Sequence, residues 1–567
     1  MGQARGYSVN YCLPQAAARL FSRNRLCPRG EVALELQDLG RRTGKSEAVV
    51  SLYTLQTDDV RREVLDALGE VFVLDWGEEE DGKTTFLDTF DWRLFNSGLT
   101  LEASRTKGGP SLLLGKPGSE AWEIRVRELP AFPRDLPPGP AADLVQQAGG
   151  IRRILPRARV RRLCRTAAVL NEDTKTVARI RTTCGEVTWP DGGEIRPLPA
   201  TLEVQPLKGY GREAKELRSF LWRAFGLRSS RKSQLALAME ALGETPGRDP
   251  SSPDFLLKPE MKASHAARII HRGLLSVMEV NERGLMGDLD PEFLHDFRVA
   301  LRRARTALGQ IKEVLPGTTV DHFRKELKWL GNRTGPTRDM DVYLLKIPAY
   351  QDALPDGVRD ELEPLVHFLG EKKRSAHRSL VRTLRSRRYQ AFKEEWAEFL
   401  ETGETKEAEE EEAPRNAEKP ILEVASARIW KLYRRVLKGG EGSDQHTPPE
   451  VLHNLRILCK RLRYLLTFFQ SLYPQDELKP LIQKLKKLQD NLGDFNDLHV
   501  QQLALRRFAD EMLGRGVGPP ETLMAMGRLM GQLETRQETE RQAFAREFRK
   551  FAKPGNVKRF SKLFGPG

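Results

Sequence analysis

An internal repeat with a period of 158 residues constrains this chain more than any other feature of its 567 residues. His295-Asp-Phe-Arg298, continuing to Arg302, Arg303 and Arg305, returns as His453-Asn-Leu-Arg456, continuing to Lys460, Arg461 and Arg463. Each cation keeps its offset of +3, +7, +8 or +10 from the histidine. The same shift carries Leu327-Lys328 and Leu330 onto Leu485-Lys486 and Leu488, and Gly335, Arg338 and Asp339 onto Gly493, Asn496 and Asp497. The pattern around these blocks is helical, and a repeat of this length has room for about four helices per copy. The C-terminal half therefore reads as one helical unit used twice.

Within each copy the charges form a stripe. Positions 295, 298, 302 and 305 are 3, 4 and 3 apart, which aligns them on one helical face. Val299, Leu301 and Ala304 take other faces and can supply core contacts. Like charges along a stripe repel by a few tenths of a kcal/mol per pair. A solvated basic face explains one such stripe; two at identical offsets point to a polyanion site. Arg268 with Arg272, Arg374 with Arg378, and Arg428 with Lys431 and Arg435 add further basic pairs at helical spacing. The whole-chain balance agrees: 93 Lys and Arg minus 79 Asp and Glu leaves +14. Nucleic-acid readers interleave aromatic residues to stack bases, whereas these stripes have mainly aliphatic flanks, with Tyr464 beside Arg463. A phosphate polymer without bases fits better, and nucleic acid is disfavoured as a specific partner. Arginine supplies bidentate forks, lysine a point charge, and histidine a donor expected to bind better when protonated. Asp339 and Asp497 read as residues that orient these cations or cap helices.

Elsewhere the composition mainly excludes. Five cysteines, none in C-x-x-C spacing, support neither a disulfide framework nor a thiol zinc site. No apolar run is long enough to span a membrane, and the N-terminus has no long apolar segment of a leader, so a cytoplasmic protein is expected. The texture divides the chain into an unassigned segment 1–46, a strand-rich region 47–242, a Gly/Pro-rich linker 243–254, a first helical copy 255–400, an acidic linker 401–420, a second copy 421–552 and a basic tail 553–567. All nine histidines lie in the helical half. The fold class expected is α+β and multidomain.

The motif blocks of the helical half resemble the conserved-histidine α-helical domain, CHAD. They are His295-Asp-x-Arg-x-x-x-Arg-Arg-x-Arg, Leu327-Lys-x-Leu, Gly335-Pro-x-Arg338-Asp, and their second copies. The resemblance covers roughly 255–400 and 421–552. It implies two four-helix bundles related by a pseudo-twofold, a basic central groove, binding of inorganic polyphosphate and association with polyphosphate granules. Carried over by position, the groove residues are His295, Arg298, Arg302, Arg303, Arg305, Lys328 and Arg338, then His453, Arg456, Lys460, Arg461, Arg463 and Lys486. Asn496 stands where the first copy has Arg338, which weakens the second half of the expected site.

The strand-rich region is similar to the CYTH, or triphosphate-tunnel, family. Asp88-Thr-Phe-Asp-Trp-Arg-Leu-Phe-Asn-Ser-Gly98 matches its signature, followed by Ser111-Leu-Leu-Leu-Gly-Lys116, Arg159-Val-Arg161, Thr201-Leu-Glu203 and Ser230-Arg-Lys-Ser. This implies an eight-stranded antiparallel barrel over 47–242 and, in active members, triphosphate hydrolysis through glutamate-bound divalent metal. Alternation sends every second strand residue inward, yet the opening strand Ser51-Leu-Tyr-Thr-Leu55 has no charge, Glu102 and Ser104 replace paired arginines, and Gln205 follows Glu203. Such a barrel lacks its Mg²⁺ clamp. Lys116, Arg159 and Arg161 remain as phosphate-binding candidates, and Glu203 as a further lumen residue. No catalytic or metal site is assigned, and no cofactor is expected, with Mg²⁺ relevant only to an active barrel. Glu31 and Glu35 precede the barrel at helical spacing, the wrong period for a strand face. Gly40-Arg-Arg-Thr-Gly-Lys-Ser46 is one residue short of a P-loop. The expected function is polyphosphate binding by the helical half; the alternative is a metal-dependent inorganic triphosphatase or polyphosphatase using the barrel.

Overall fold

The computed structural model describes residues 50–106, 109–116, 121–230, 232–403, 413–444 and 446–566. Segment 1–46, with Glu31, Glu35 and the Gly40–Ser46 stretch, lies outside the described residues, as does 404–412 of the acidic linker. The chain divides into two compact units at Gly247 and Arg248, with Ile151–Arg153 grouped with the second.

The first unit is an antiparallel sheet with helices. Its strands are β1 (Ser51–Leu55), β2 (Val73–Asp88), β3 (Thr100–Thr106), β4 (Gly109–Gly115), β5 (Trp122–Arg125), β6 (Leu155–Leu170), β7 (Thr176–Thr188) and β8 (Arg196–Pro206). Its helices are α1 (Asp58–Val71), α2 (Arg93–Asn96), α3 (Pro140–Gly149), α4 (Gly211–Phe225) and α5 (Gln234–Ala241). The strand order is β1-β8-β7-β6-β2-β3-β4-β5, every neighbouring pair antiparallel. A closed barrel was the expectation; among the described residues no pairing joins β1 to β5, and the sheet keeps two edges. The local chemistry is consistent with an open edge. β5 is four residues long, and Pro130, Pro133, Pro137 and Pro138 follow it; proline has no N–H to extend a ladder. Leu202 and Val204 of β8 pack with Tyr53, Val64, Leu68, Leu217 and Leu221 on one face of the sheet. Asp88 of the Asp-Thr signature serves the fold: its buried carboxylate accepts the backbone N–H groups of Thr89, Leu94 and Phe95 at 2.6, 3.0 and 2.9 Å and ties down the turn that starts α2.

The second unit is helical. Its elements are α6 (Ala263–Met286), α7 (Pro291–Gln310), α8 (Gly317–Asp352), α9 (Glu363–Leu384), α10 (Arg387–Thr402), α11 (Ile421–Gly440), α12 (Pro449–Phe468), α13 (Gln475–Gly514), α14 (Pro520–Phe551) and α15 (Pro554–Phe564). Among the described residues the first copy thus has five α-helices and the second four, with α15 beyond it, and α8 and α13 are equivalent long members of 36 and 40 residues. At 1.5 Å per residue α8 runs about 54 Å, against about 30 Å for the 20-residue α7. Its distal half outruns its own copy and finds partners in the other one. Tyr343, Ile347 and Tyr350 of α8 and Phe368 of α9 share one core with Leu505 and Phe508 of α13 and Met526 and Leu529 of α14. The copies therefore share a core. The basic tail forms α15, whose Phe560 stacks on Tyr433 at 3.8 Å. Among the described residues, no helix is long and apolar enough to cross a membrane.

Candidate anion-binding site

Proline at N1 of α7 and of α12 fixes where these helices start. Asp290 caps α7 by accepting the Glu292 N–H at 2.9 Å. Leu294, Leu301, Leu308, Leu455 and Leu462 turn to the core, which leaves the cationic stripes for the other faces. Between α7, α8 and α12 lies a cavity of about 780 Å³. Arg302 and Arg305 reach it from α7, Lys328 from α8, and Arg456, Lys460 and Arg461 from α12. Two helices of one copy and one of the other thus bring six of the sequence-assigned cations together. Arg324, Lys325, Thr306, Gln310, Ile457, Tyr464 and Asp321 complete most of the wall. Asp321 is the one carboxylate in the lining, and it pairs with Arg324 at 3.5 Å.

Arg324 and Lys325 escaped the repeat criterion because Ile482 and Gln483 stand 158 residues on. Their i+4 and i+3 spacing to Lys328 was a signal available in the sequence.

Most of the remaining assigned residues are engaged elsewhere. His295 Nδ1 accepts a 2.8 Å hydrogen bond from Arg338, whose guanidinium also donates to the Pro291 carbonyl at 3.1 Å. Burial, reinforced by the Arg338 and Arg302 charges, lowers the His295 pKa to about 4. This corrects the expectation of a protonatable donor: His295 is a neutral acceptor that holds Arg338. Arg298 donates to Gly331 O at 3.0 Å and Thr334 Oγ1 at 2.6 Å. In the second copy His453 Nδ1 lies 2.7 Å from Asn496 Oδ1, so there the imidazole donates. Arg456 pairs with Asp497 at 3.0 Å, the orienting role read for that aspartate.

Arg303 departs furthest from its expected place. Its guanidinium carbon lies 5.6 Å from the Phe255 ring and 5.2 Å from the Phe468 ring, and its Nε and Nη2 are buried without a hydrogen-bond partner. Arg463 Nε is buried likewise, with the guanidinium beside the Tyr464 ring at 5.9 Å. Lys486 is exposed and is not part of the cavity wall. Arg268 donates to the Glu401 carbonyl and Arg272 pairs with the Glu401 carboxylate, so this basic pair is also used within the fold.

Electrostatics single out Lys460. Half-buried, with Arg456 and Arg302 nearby and Asp497 opposing them, its ammonium has a pKa lowered to about 8, burial being the largest cause. Desolvation and like charge both disfavour its protonated form.

In the sheet unit, register separates two of the candidates from Glu203. Arg181 pairs with Glu203 and with Thr166, which puts even-numbered β6 residues on the Glu203 face and Arg159 and Arg161 on the other. Arg161 is exposed there and pairs with Asp81 at 2.7 Å. The residues that share the Glu203 face are Arg162, held by Glu102, with Arg179, Arg181 and Thr183. Lys116 is exposed just past β4. Among the described residues, no group of three or more His, Cys, Asp or Glu side chains is arranged to hold a metal ion.

Comparison with known proteins bears on the helical unit. The family model described as the CHAD domain matches residues 269–506. The chain is similar to the crystal structure of the CHAD domain from the plant Ricinus communis, at 24% identity over 53% of this chain and 94% of that one, with a TM-score of 0.44. It is also similar to PptA from Streptomyces chartreusis, at 18% identity over 51% of this chain and 99% of that one, with a TM-score of 0.38. No curated protein matches. A CHAD domain, the class its motif blocks announced, thus occupies residues 269–506.

Proposed function

We propose that this protein binds inorganic polyphosphate through its CHAD domain, with the polymer held in the cavity between α7, α8 and α12. The observation that carries this reading is the wall itself: eight Arg and Lys side chains against a single, already paired Asp. Tyr464 is the one aromatic lining residue, so the cavity offers charge and hydrogen-bond donors without a platform for stacking bases. Arginine forks and lysine point charges match phosphoryl oxygens along a chain that carries no other recognition groups. The family resemblance supports the same ligand, and with it a cytoplasmic protein at polyphosphate granules.

The sheet unit is read as a triphosphate-tunnel-like accessory module. Its candidate phosphate face is the one bearing Arg162, Arg179, Arg181 and Glu203, and its opening strand brings no carboxylate.

The test compares long-chain polyphosphate with single-stranded DNA of matched charge at physiological salt, following phosphate release in the same Mg²⁺-containing sample. Preferential polyphosphate binding without release is expected. Release of phosphate from tripolyphosphate establishes instead the alternative, a metal-dependent triphosphatase. Equal binding of DNA reduces the cavity to an unspecific polyanion patch. Reversing two wall charges, Arg302→Glu with Lys460→Glu, is expected to weaken polyphosphate binding at least about 100-fold, at roughly 1.5–3 kcal/mol per charge-assisted contact. Unchanged affinity in the folded double variant overturns the cavity assignment.

A further inference from the structure

Lys460 differs from the other lysines of the cavity. Lys325 and Lys328 are exposed on α8, whereas Lys460 is half-buried on α12 and makes no hydrogen bond or ion pair among the described residues. Arg456 lies one turn before it, and Arg302 faces it from α7. An anion drawn into this cavity is therefore held by arginines around a free amine.

We propose that Lys460 is a site of chemical acylation by small acyl phosphates, whose phosphate group docks on the cavity arginines and presents its carbonyl carbon to Nζ. The proposal rests on the phosphate-binding reading of the cavity. In the step, the neutral Nζ attacks the acyl carbon and a C–N bond forms. The bond from the acyl carbon to the bridging oxygen breaks, its electron pair leaves on inorganic phosphate, and the surplus Nζ proton passes to water. The products are an N-acyl-lysine and free phosphate, so no oxidant or further reactant is needed. Acylation erases one cation from the wall, so the modified protein grips a polyanion less tightly.

The lowered pKa supplies the reactive form. With a pKa of about 8, roughly half of Lys460 is neutral at pH 8, against under ~1% of a lysine at the reference value of about 10.4. Two effects reduce this advantage: a less basic amine is a weaker nucleophile, and a docked anion draws the proton back.

The full-length chain is incubated with acetyl phosphate at pH 8, and acetylation is followed site by site by peptide mass spectrometry. A parallel sample receives an acetyl succinimidyl ester, which has no phosphate. Polyphosphate affinity is measured on the unmodified protein. Lys460 is expected to acetylate about tenfold faster than Lys328 with acetyl phosphate, a preference that shrinks with the succinimidyl ester and is suppressed by tripolyphosphate. Equal rates at Lys460 and Lys328 with acetyl phosphate overturn the acylation proposal and leave the measured polyphosphate affinity standing. Fast acetylation of Lys460 that tripolyphosphate does not suppress overturns the shared cavity for the two ligands.

Discussion

In the first copy of the repeat His295 accepts a hydrogen bond from Arg338, and in the second His453 donates one to Asn496. The histidine sits at the same motif position each time, and the partner 43 residues on decides its proton role. Against a guanidinium, which can only donate, the imidazole must accept and stays neutral. Against an amide oxygen it donates. The arginines at +8 diverge more sharply: Arg461 lines the cavity, while Arg303 packs against Phe255 and Phe468. The covering residue explains this. Phe255 opens the first copy, and 158 residues later the chain has Ala413, which has no ring to place over Arg461. The same motif position thus lines a cavity with one arginine and packs the other against phenyl rings.

Substitutions at these paired positions can break or sharpen the contrast. The largest effect is expected from Arg303→Glu, which buries a carboxylate against two phenyl rings. A cost of about 3–5 kcal/mol, seen as a fall of several degrees in the thermal unfolding of the helical unit, follows from leaving an unpaired charge inside. Arg303→Met, apolar and of similar length, is expected to be near neutral. If Arg303→Glu leaves stability unchanged and weakens only polyphosphate binding, Arg303 belongs to the site after all. Arg461→Glu should do the reverse, with unfolding little changed and polyphosphate affinity reduced about tenfold or more in a titration at fixed salt.

A smaller effect is expected from pH. Lys460 faces Arg456, Arg461 and Arg463 on its own helix, Arg302 on α7 and Asp497 on α13. A bound polyanion favours its charged form, so the free protein has the lower pKa, about 8, and the complex a higher one. Affinity is accordingly full below pH 8 and declines as pH rises from about 8 towards the complex's pKa. A few-fold loss between pH 7 and 9.5, absent in Lys460→Arg, is the expected titration. His295, with its pKa near 4, contributes no change between pH 5.5 and 7. The smallest effect is expected from Asn496→Arg, which copies the first repeat's pairing into the second. It should move the His453 proton from Nδ1 to Nε2 in ¹⁵N imidazole spectra while changing affinity by no more than a few-fold. Retention of the Nδ1 proton argues against the partner-controlled tautomer.

Much of the candidate site was legible before any coordinates. The 158-residue period found six cavity cations, because a repeated offset on a helix places side chains on a repeated face. It passed over Arg324 and Lys325, whose counterparts are uncharged, and it included Arg303, because periodicity carries no record of what packs over a face. In the sheet unit the strand alternation was visible, but Arg159 and Arg161 were grouped with Glu203, whose face they do not share. Which parity points to Glu203 depends on pairing with β7 and β8, and one strand cannot reveal the register of the next.

By itself, then, the sequence determined two helical copies, their stripes of charge and a separate strand-rich region. These follow from local periodicity and composition, which act over a few residues. Tertiary structure alone decided that α8 and α13 carry the copies into one core, that a single cavity draws on α7, α8 and α12, and which cations are free to meet an anion. Those outcomes depend on contacts between residues far apart in the chain, where a phenyl ring such as Phe468, 165 positions from Arg303, packs an arginine that its local sequence would leave to a cavity wall.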